Sequence, residues 1–143
     1  MKTLFLTGLL AMATMSQAAV TIFLDSTAPM GTNTGYNYHL EQTEGDVLRT
    51  GDFFTIYDVA GFVSASTPVD FNFSVQNSGV NPSTPVGGVA PALDAAMANV
   101  TFIRSGENTN AMSISGFQIV STFLGLVAYW HLQARTRKNT RSN

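Results

Sequence analysis

The sequence predicts an all-β protein, an antiparallel β-sandwich of the immunoglobulin-like or jelly-roll-like kind, after an N-terminal signal peptide. Short segments alternate apolar and polar residues with a period of two, which is the pattern of strands with one buried face. Aromatic and β-branched residues dominate these segments, as is usual in strands. Gly, Asn, Pro and Ser separate them at near-regular intervals, and this spacing is typical of a sandwich.

Residues 1–18 are predicted to be a cleavable secretory signal peptide. Lys2 is the only charged residue before Asp25, and an apolar run occupies residues 4–15. Small residues precede the expected cut after Ala18. The run is too short for a permanent anchor, which needs about 20 apolar residues. A buried N-terminal element is the alternative, and the combination of charge, length and cleavage chemistry favours export.

The chain after the signal has the length of one domain, with the sandwich expected over residues 19–134. Charged residues make up 11% of the chain, against about 25% in an average soluble domain. Thr, Ser, Asn and Gly take their place, so the surface binds water through hydroxyl and amide groups. The chain has no Cys, which excludes disulfides, thiol catalysis and cysteine-based metal or redox sites.

The first part of the domain is predicted to contain two strands with a turn region between them. Residues 20–24 alternate as a strand, and residues 25–35 are rich in Pro, Gly and Asn, which predicts turns. In residues 36–40 three large side chains share one face and polar side chains share the other. A second turn signal, Glu-Gly-Asp, follows at residues 44–46.

Further strand segments follow along the chain. The first of them is dense in aromatic residues and the next alternates cleanly, which again favours strands with one face in the core. These segments lie at residues 52–63, 71–75, 100–102, 112–114 and 117–120.

Residues 77–99 are predicted to be a long loop. Pro removes hydrogen-bond donors from a ladder and Gly adds chain entropy, and both are frequent in this stretch. Residues 91–97 could form one helical turn with Asp94 near its start. A loop of this length is either functional or flexible, and the absence of charged or aromatic side chains between Gln76 and Leu93 favours a flexible excursion.

Residues 117–134 allow two interpretations. As strands, residues 117–123 and 127–135 would complete the sandwich with Gly125 at the turn. As a membrane anchor, the apolar run would end in the interfacial pair Tyr129 and Trp130, followed by basic residues. The uninterrupted apolar stretch is short for a span, so strands are favoured.

Residues 135–143 form a basic tail. All nine acidic residues lie between Asp25 and Glu107, and the only bases of the predicted domain are Arg49 and Arg104. The tail could therefore contact anionic lipid or another acidic surface. A solvated chain end is the simpler interpretation and is favoured.

Four segments together resemble exported β-rich proteins of Gram-negative bacteria from the PEP-CTERM group. They are residues 51–63 (GDFFTIYDVAGFV), 20–24 (VTIFL), 36–40 (YNYHL) and 99–102 (NVTF). The resemblance covers most of residues 20–123. It implies export, and a C-terminal sorting signal that a membrane system of the exosortase type reads.

The chain departs from the pattern of that group at its C-terminal end. Members end with Pro-Glu-Pro, a hydrophobic helix and an Arg cluster, whereas the last proline here is Pro91. A hydrophobic run and an Arg-rich tail are present. Either the signal is degenerate, or the sequence stops inside the β-domain and the sorting region is missing. The second interpretation is favoured, because residues 117–133 fit the last strands of the domain.

No motif of a known catalytic site occurs, so the chain is predicted not to be an enzyme. There is no G-x-S-x-G, no H-E-x-x-H and no phosphate-binding glycine loop. Of the two histidines, His39 is expected on the polar face of its strand beside Asn37 and Glu41, and His131 near a sheet edge or an interface. Neither has the partners of a metal site, and no cofactor is predicted.

The candidate ligand-binding residues are Asp52, Phe53, Tyr57 and Asp58. Alternation places Phe53 and Tyr57 on one face of their strand, where they could stack on a sugar, with Asp52 and Asp58 beside them. Core packing of the aromatic residues is the favoured alternative. For the two carboxylates the favoured alternative is the turn chemistry of Asp, in which the side chain accepts from nearby backbone amides.

The sequence therefore predicts an exported, non-enzymatic β-sandwich at the cell surface or outside the cell. Polysaccharide of the surface or matrix is the expected partner, and nucleic acid is not. Two alternatives stay open, namely a surface protein held in the membrane by residues 117–134 and a small glycan-binding module.

Overall fold

The computed structural model describes residues 20–77, 94, 96–123, 132–135 and 137–138. Within them the chain forms ten strands, and no helix. Several predictions fall outside the described residues: the signal peptide, most of the loop at 77–99, Gly125, Tyr129, Trp130, His131 and residues 139–143. The strands are β1 (Val20–Met30), β2 (Asn33–Gln42), β3 (Asp46–Val47), β4 (Phe53–Val59), β5 (Phe62–Ser66), β6 (Phe71–Gln76), β7 (Ala98–Arg104), β8 (Ser113–Ser121), β9 (Leu132–Arg135) and β10 (Arg137–Lys138).

The strands form two four-stranded antiparallel sheets and one short two-stranded ribbon. The first sheet has the order β1-β2-β8-β5, the second has the order β6-β7-β4-β9, and β10 pairs with β3. The chain changes sheet between β4 and β5, again between β5 and β6, and again before and after β8. Both sheets therefore share one core, which confirms the predicted all-β sandwich architecture.

The core lies between the two sheets and is rich in aromatic residues. From β2 the predicted inward set, Tyr36, Tyr38 and Leu40, is buried. Phe117 on β8 lies opposite Tyr38, next to a bulge at Gly116, and its ring contacts rings of the second sheet. These core aromatic residues supply large apolar areas and edge-on ring contacts, which are favourable geometries for such pairs.

The prediction of a turn region at residues 25–35 is wrong. Strand β1 continues to Met30 and β2 begins at Asn33, so only Gly31 and Thr32 form the turn. Gly31 has φ 65°, a conformation that glycine adopts without steric cost. The strand tolerates Pro29 because β1 is an edge strand, where a missing backbone N–H removes no bond from a second neighbour.

The structure places a strand in each of the two C-terminal segments that were predicted as strands, with β8 ending at Ser121 and β9 limited to Leu132–Arg135. Strand β8 pairs with β2 and β5 in the first sheet, whereas β9 pairs with β4 in the second, so the two are not partners. The basic tail also begins inside the fold. Arg135 belongs to β9, and Arg137 and Lys138 pair with Val47 and Asp46 of β3. These positions pair in strands, so this part of the predicted tail is not a frayed chain end.

Two other boundaries differ slightly from the predicted ones. Strand β7 begins at Ala98, so the last residues of the predicted loop are already strand. The dense segment at residues 52–63 divides into β4 and β5 at a turn that contains Gly61. Among the residues that the structure describes, no helix is long and apolar enough to cross a membrane.

Candidate functional site

Strand β4 carries the predicted aromatic candidates, and both of its faces are buried. Phe54 and Ile56 point into the core between the sheets. On the opposite face, Phe53 is 7% exposed and Tyr57 is 0% exposed. Burial raises the pKa of the Tyr57 hydroxyl. The burial of both rings fits the interpretation that they pack in the protein interior, and it leaves little ring surface on which a sugar could stack. Ligand binding by these residues stays a prediction.

Asp52 is buried and closes the turn before β4. Its Oδ2 accepts from the backbone N–H of Arg49 at 2.8 Å, and its own N–H donates to the Arg49 carbonyl at 2.9 Å. Its carbonyl accepts from the N–H of Arg104 at 2.8 Å, which ties the turn to β7. The Asp52 carboxylate therefore accepts a backbone hydrogen bond within a turn, as the favoured interpretation of the sequence predicted.

Asp58 lies at the other end of β4, where the ladder to β7 is interrupted between Ile56 and Val59. It has φ 54°, a left-handed conformation that Asp tolerates better than most residues. Its N–H donates to Asn99 Oδ1 at 3.1 Å, and its Oδ1 accepts from the N–H of Asp94 at 2.9 Å. This carboxylate anchors the chain just before β7.

The structure does not bring Asp52 and Asp58 together. They lie six positions apart along extended chain, which corresponds to roughly 20 Å at about 3.3 Å per residue. The paired carboxylates of glycoside hydrolases lie about 5–9.5 Å apart. The two residues therefore do not form a carboxylate pair of that kind.

A polar cluster that the sequence did not predict lies on the outer face of the first sheet. His39 Nδ1 hydrogen-bonds to Asp25 Oδ1, and His39 Nε2 lies 3.3 Å from Glu41 Oε1. The ring of Phe23 stacks on the imidazole with 5.1 Å between centroids and an interplanar angle of 15°. We call these four residues the His39 cluster.

The pairing of β1 with β2 assembles this cluster. Phe23 lies directly opposite His39, and the register shifts between Leu24 and Ser26, which places Asp25 in a bulge. The sequence identified His39 as a surface residue beside Glu41, which is correct, but missed Asp25 and Phe23. A regular hairpin centred on Gly31 and Thr32 would place residue 24 opposite residue 39, so it is the bulge at Asp25 that brings Phe23 opposite His39. No signal in the sequence predicts this bulge.

The cluster changes the protonation equilibrium of His39. The hydrogen bond with Asp25 raises the pKa of the imidazole above its usual value, and the contact with Glu41 raises it further, although desolvation opposes the rise. The two carboxylates lie at different ring nitrogens, so they do not converge on one cation. In the part of the chain that the structure describes, no group of three or more acidic, His or Cys residues could hold a metal ion.

A row of amide and hydroxyl groups continues the outer face beside the His39 cluster. Asn37 Nδ2 donates to Ser26 Oγ at 3.1 Å, and Gln118 Nε2 donates to Asn37 Oδ1 at 2.8 Å. The row crosses β1, β2 and β8 and is uncharged. Together with the Phe23 ring, which is 42% exposed, it forms a surface of hydrogen-bonding groups beside an aromatic ring.

Comparisons of the chain with protein-family models, with curated proteins and with solved structures gave no significant match in any of the three. The function must therefore be argued from the residues themselves.

Proposed function

We propose that the chain is an exported, non-enzymatic β-sandwich that acts at or outside the cell surface by binding extracellular polysaccharide. Its role is adhesive or structural, and it requires no cofactor. The observation that carries the proposal is the outer face of the first sheet, where the row Ser26, Asn37 and Gln118 lies beside the exposed ring of Phe23.

This surface has the chemistry that a polysaccharide needs. Sugar hydroxyls are both donors and acceptors, and an amide offers both functions in one side chain. The apolar face of a sugar ring packs on an aromatic ring, which supplies area at a low cost in conformational entropy. The four-stranded sheet holds these groups on paired strands, so little ordering is needed on binding.

The sequence supports the location. Residues 1–18 have the charge, length and small-residue ending of a secretory signal peptide. The low charge content and the lack of cysteine fit a domain that depends on its core and not on disulfides. The resemblance to the PEP-CTERM group points in the same direction, since its members are exported β-rich proteins.

Binding to a panel of neutral and uronic-acid-containing polysaccharides tests the proposal. We expect saturable binding that Phe23→Ala weakens strongly. The matched control is Phe73→Ala, because Phe73 is also 42% exposed but lies on the second sheet. Equal loss in both variants would contradict the assignment of the face. Turnover of a glycan or ester by the purified protein, abolished by replacing one acidic residue, would contradict a non-enzymatic role.

A membrane-anchored surface protein is the alternative, because the apolar stretch at residues 117–134 is followed by basic residues. An anchor there would have to withdraw Phe117 and Ile119 from the core, where both are fully buried. The cost of opening the core makes this the second choice. Association with membranes that resists alkaline carbonate, and that deletion of residues 117–143 abolishes, would favour the anchor.

A further inference from the structure

Among the described strands, β1 has a backbone ladder with one neighbour. It lies at the edge of the first sheet and pairs with β2 alone within that sheet. Its backbone ladder is interrupted at the bulge between Leu24 and Ser26, and the residue in that bulge is Asp25. The Asp25 side chain contacts β2 from this bulge, so it stabilises the pairing of β1 with β2 at the point where backbone hydrogen bonds are interrupted.

Asp25 reaches the imidazole of His39, and Glu41 contacts the other ring nitrogen at 3.3 Å. Ionised carboxylates only accept hydrogen bonds, and a neutral imidazole has only one N–H. Both contacts can be hydrogen bonds only if the ring carries two N–H groups, as the imidazolium does. The arrangement of acceptors therefore selects the protonated ring.

The other surroundings of the ring act in the same direction. Phe23 of β1 stacks on it, and an aromatic face attracts a cation. On the other side, β8 places Ser115 opposite His39 and has no titratable residue in its range Ser113–Ser121. The described charged groups that face the imidazole are thus Asp25 from β1 and Glu41 from β2, both negative. A neutral ring would leave one carboxylate facing a nitrogen lone pair.

We propose that the His39 cluster is a pH-dependent clamp that fastens edge strand β1 to the first sheet when His39 is protonated and loosens it when the proton is lost. Two residues of β1, Phe23 and Asp25, contact the ring, so the protonation of one imidazole affects the pairing of β1 with β2 around the bulge. An edge strand that opens exposes unpaired backbone groups, and these are available for pairing with another chain. The clamp therefore controls when this edge is free.

The sign of the pH dependence follows from the raised pKa of His39 in the folded chain. The stabilisation is fully present below the unfolded value of about 6.5 and disappears as the pH rises through the higher folded value. The edge is therefore held below pH 6.5 and released as the pH rises above the folded pKa of His39.

Two NMR measurements on the full chain test the clamp. The first is the pH titration of the His39 ring signals, assigned by comparison with His39→Gln. The second is the amide hydrogen-exchange protection of β1, corrected for intrinsic exchange and compared with β8 as an internal reference. We expect a midpoint above that of a free histidine, and a several-fold loss of β1 protection across the same pH range.

Variants make the test specific. In His39→Gln and in Asp25→Asn the protection of β1 should no longer depend on this titration. Glu44→Gln is the control, because it removes an exposed carboxylate from the turn after β2 and should behave as the parent chain. A His39 midpoint at or below that of a free histidine would overturn the proposal. So would β1 protection that stays constant while His39 titrates.

Discussion

The ring of Phe117 meets the ring of Phe54 edge-on, with 5.1 Å between centroids and an interplanar angle of 82°. Phe117 lies on β8 of the first sheet and Phe54 on β4 of the second. The Phe117 ring also meets the rings of Phe71 and Phe102 nearly edge-on, with 4.9 Å and 5.4 Å between centroids. Both of these residues belong to the second sheet. One side chain therefore connects the first sheet to three strands of the other.

Truncation of Phe117 is expected to destabilise the sandwich strongly. Phe117→Ala removes a fully buried ring, and such a change costs about 3–5 kcal/mol because it adds a cavity to the lost burial. Phe123→Ala is the control, since that side chain is mostly exposed and should cost about 1 kcal/mol or less. Urea unfolding measures both. Similar midpoints for the two variants would show that the core contact is not a major one.

Arg104 is expected to matter through the groups it contacts more than through its ion pair. Its buried guanidinium donates to the Glu107 carbonyl from Nε at 3.1 Å and from an Nη atom at 2.7 Å, and it lies 5.2 Å from the Phe71 ring centroid. Asp70 is only 3.5 Å away but is about half exposed, so the pair is worth roughly 1 kcal/mol or less. Arg104→Ala should cost about 2–3 kcal/mol, since it leaves the carbonyl without these donors.

Asp70→Asn is the matched comparison for Arg104. Asp70 has φ 69°, and Asn accepts this conformation as readily as Asp. The loss should therefore stay below about 1 kcal/mol in thermal or urea unfolding. If Asp70→Asn cost as much as Arg104→Ala, the ion pair would be the main contribution and this assignment would be wrong.

The turn between β4 and β5 is expected to require glycine at position 61. Gly61 has φ 59°, and a Cβ placed on it would overlap the Thr122 hydroxyl and lie 2.7 Å from Phe123 Cδ2. Gly45 has φ 87° but open space around it. Gly45→Ala should cost about 1 kcal/mol from backbone strain alone, and Gly61→Ala should cost distinctly more because the overlap adds to that strain. Equal melting temperatures for the two variants would contradict the packing described for this turn.

Removal of the C-terminal strands is expected to expose β4. Strand β9 covers one side of β4, and β10 pairs with β3. Deletion of residues 132–143 should lower stability and cause concentration-dependent association, because an apolar inner strand becomes an edge. Deletion of residues 139–143 is the control, since it removes no residue of β9 or β10. Light scattering and thermal unfolding of both deletions measure the difference.

Alternation predicted the inward face of β2, because one face of this strand is core and the other is polar. The same rule could not resolve β4, because both faces of that strand are buried and its residues apart from Asp58 are apolar or carry a hydroxyl group. Thr55 illustrates this, since its hydroxyl is fully buried and lies 2.8 Å from that of Thr101. Periodicity is informative only where the two faces differ.

The features that could not be predicted from the sequence depend on contacts between distant parts of the chain. The His39 cluster depends on the hairpin register and on one bulge, and the ribbon of β3 with β10 joins residues 46–47 to residues 137–138. Turn-like composition between residues 25 and 35 concealed an edge strand that tolerates Pro29. Only the pairing of the strands reveals these features, and the composition of each segment does not.

The most direct test of the proposed export is the N-terminal sequence of the chain recovered after expression in a Gram-negative host. We expect a soluble protein in the periplasm or medium that begins at Ala19, with residues 1–18 removed. A chain that keeps Met1 and stays in the cytoplasm would contradict export, and with it the proposed role in binding extracellular polysaccharide.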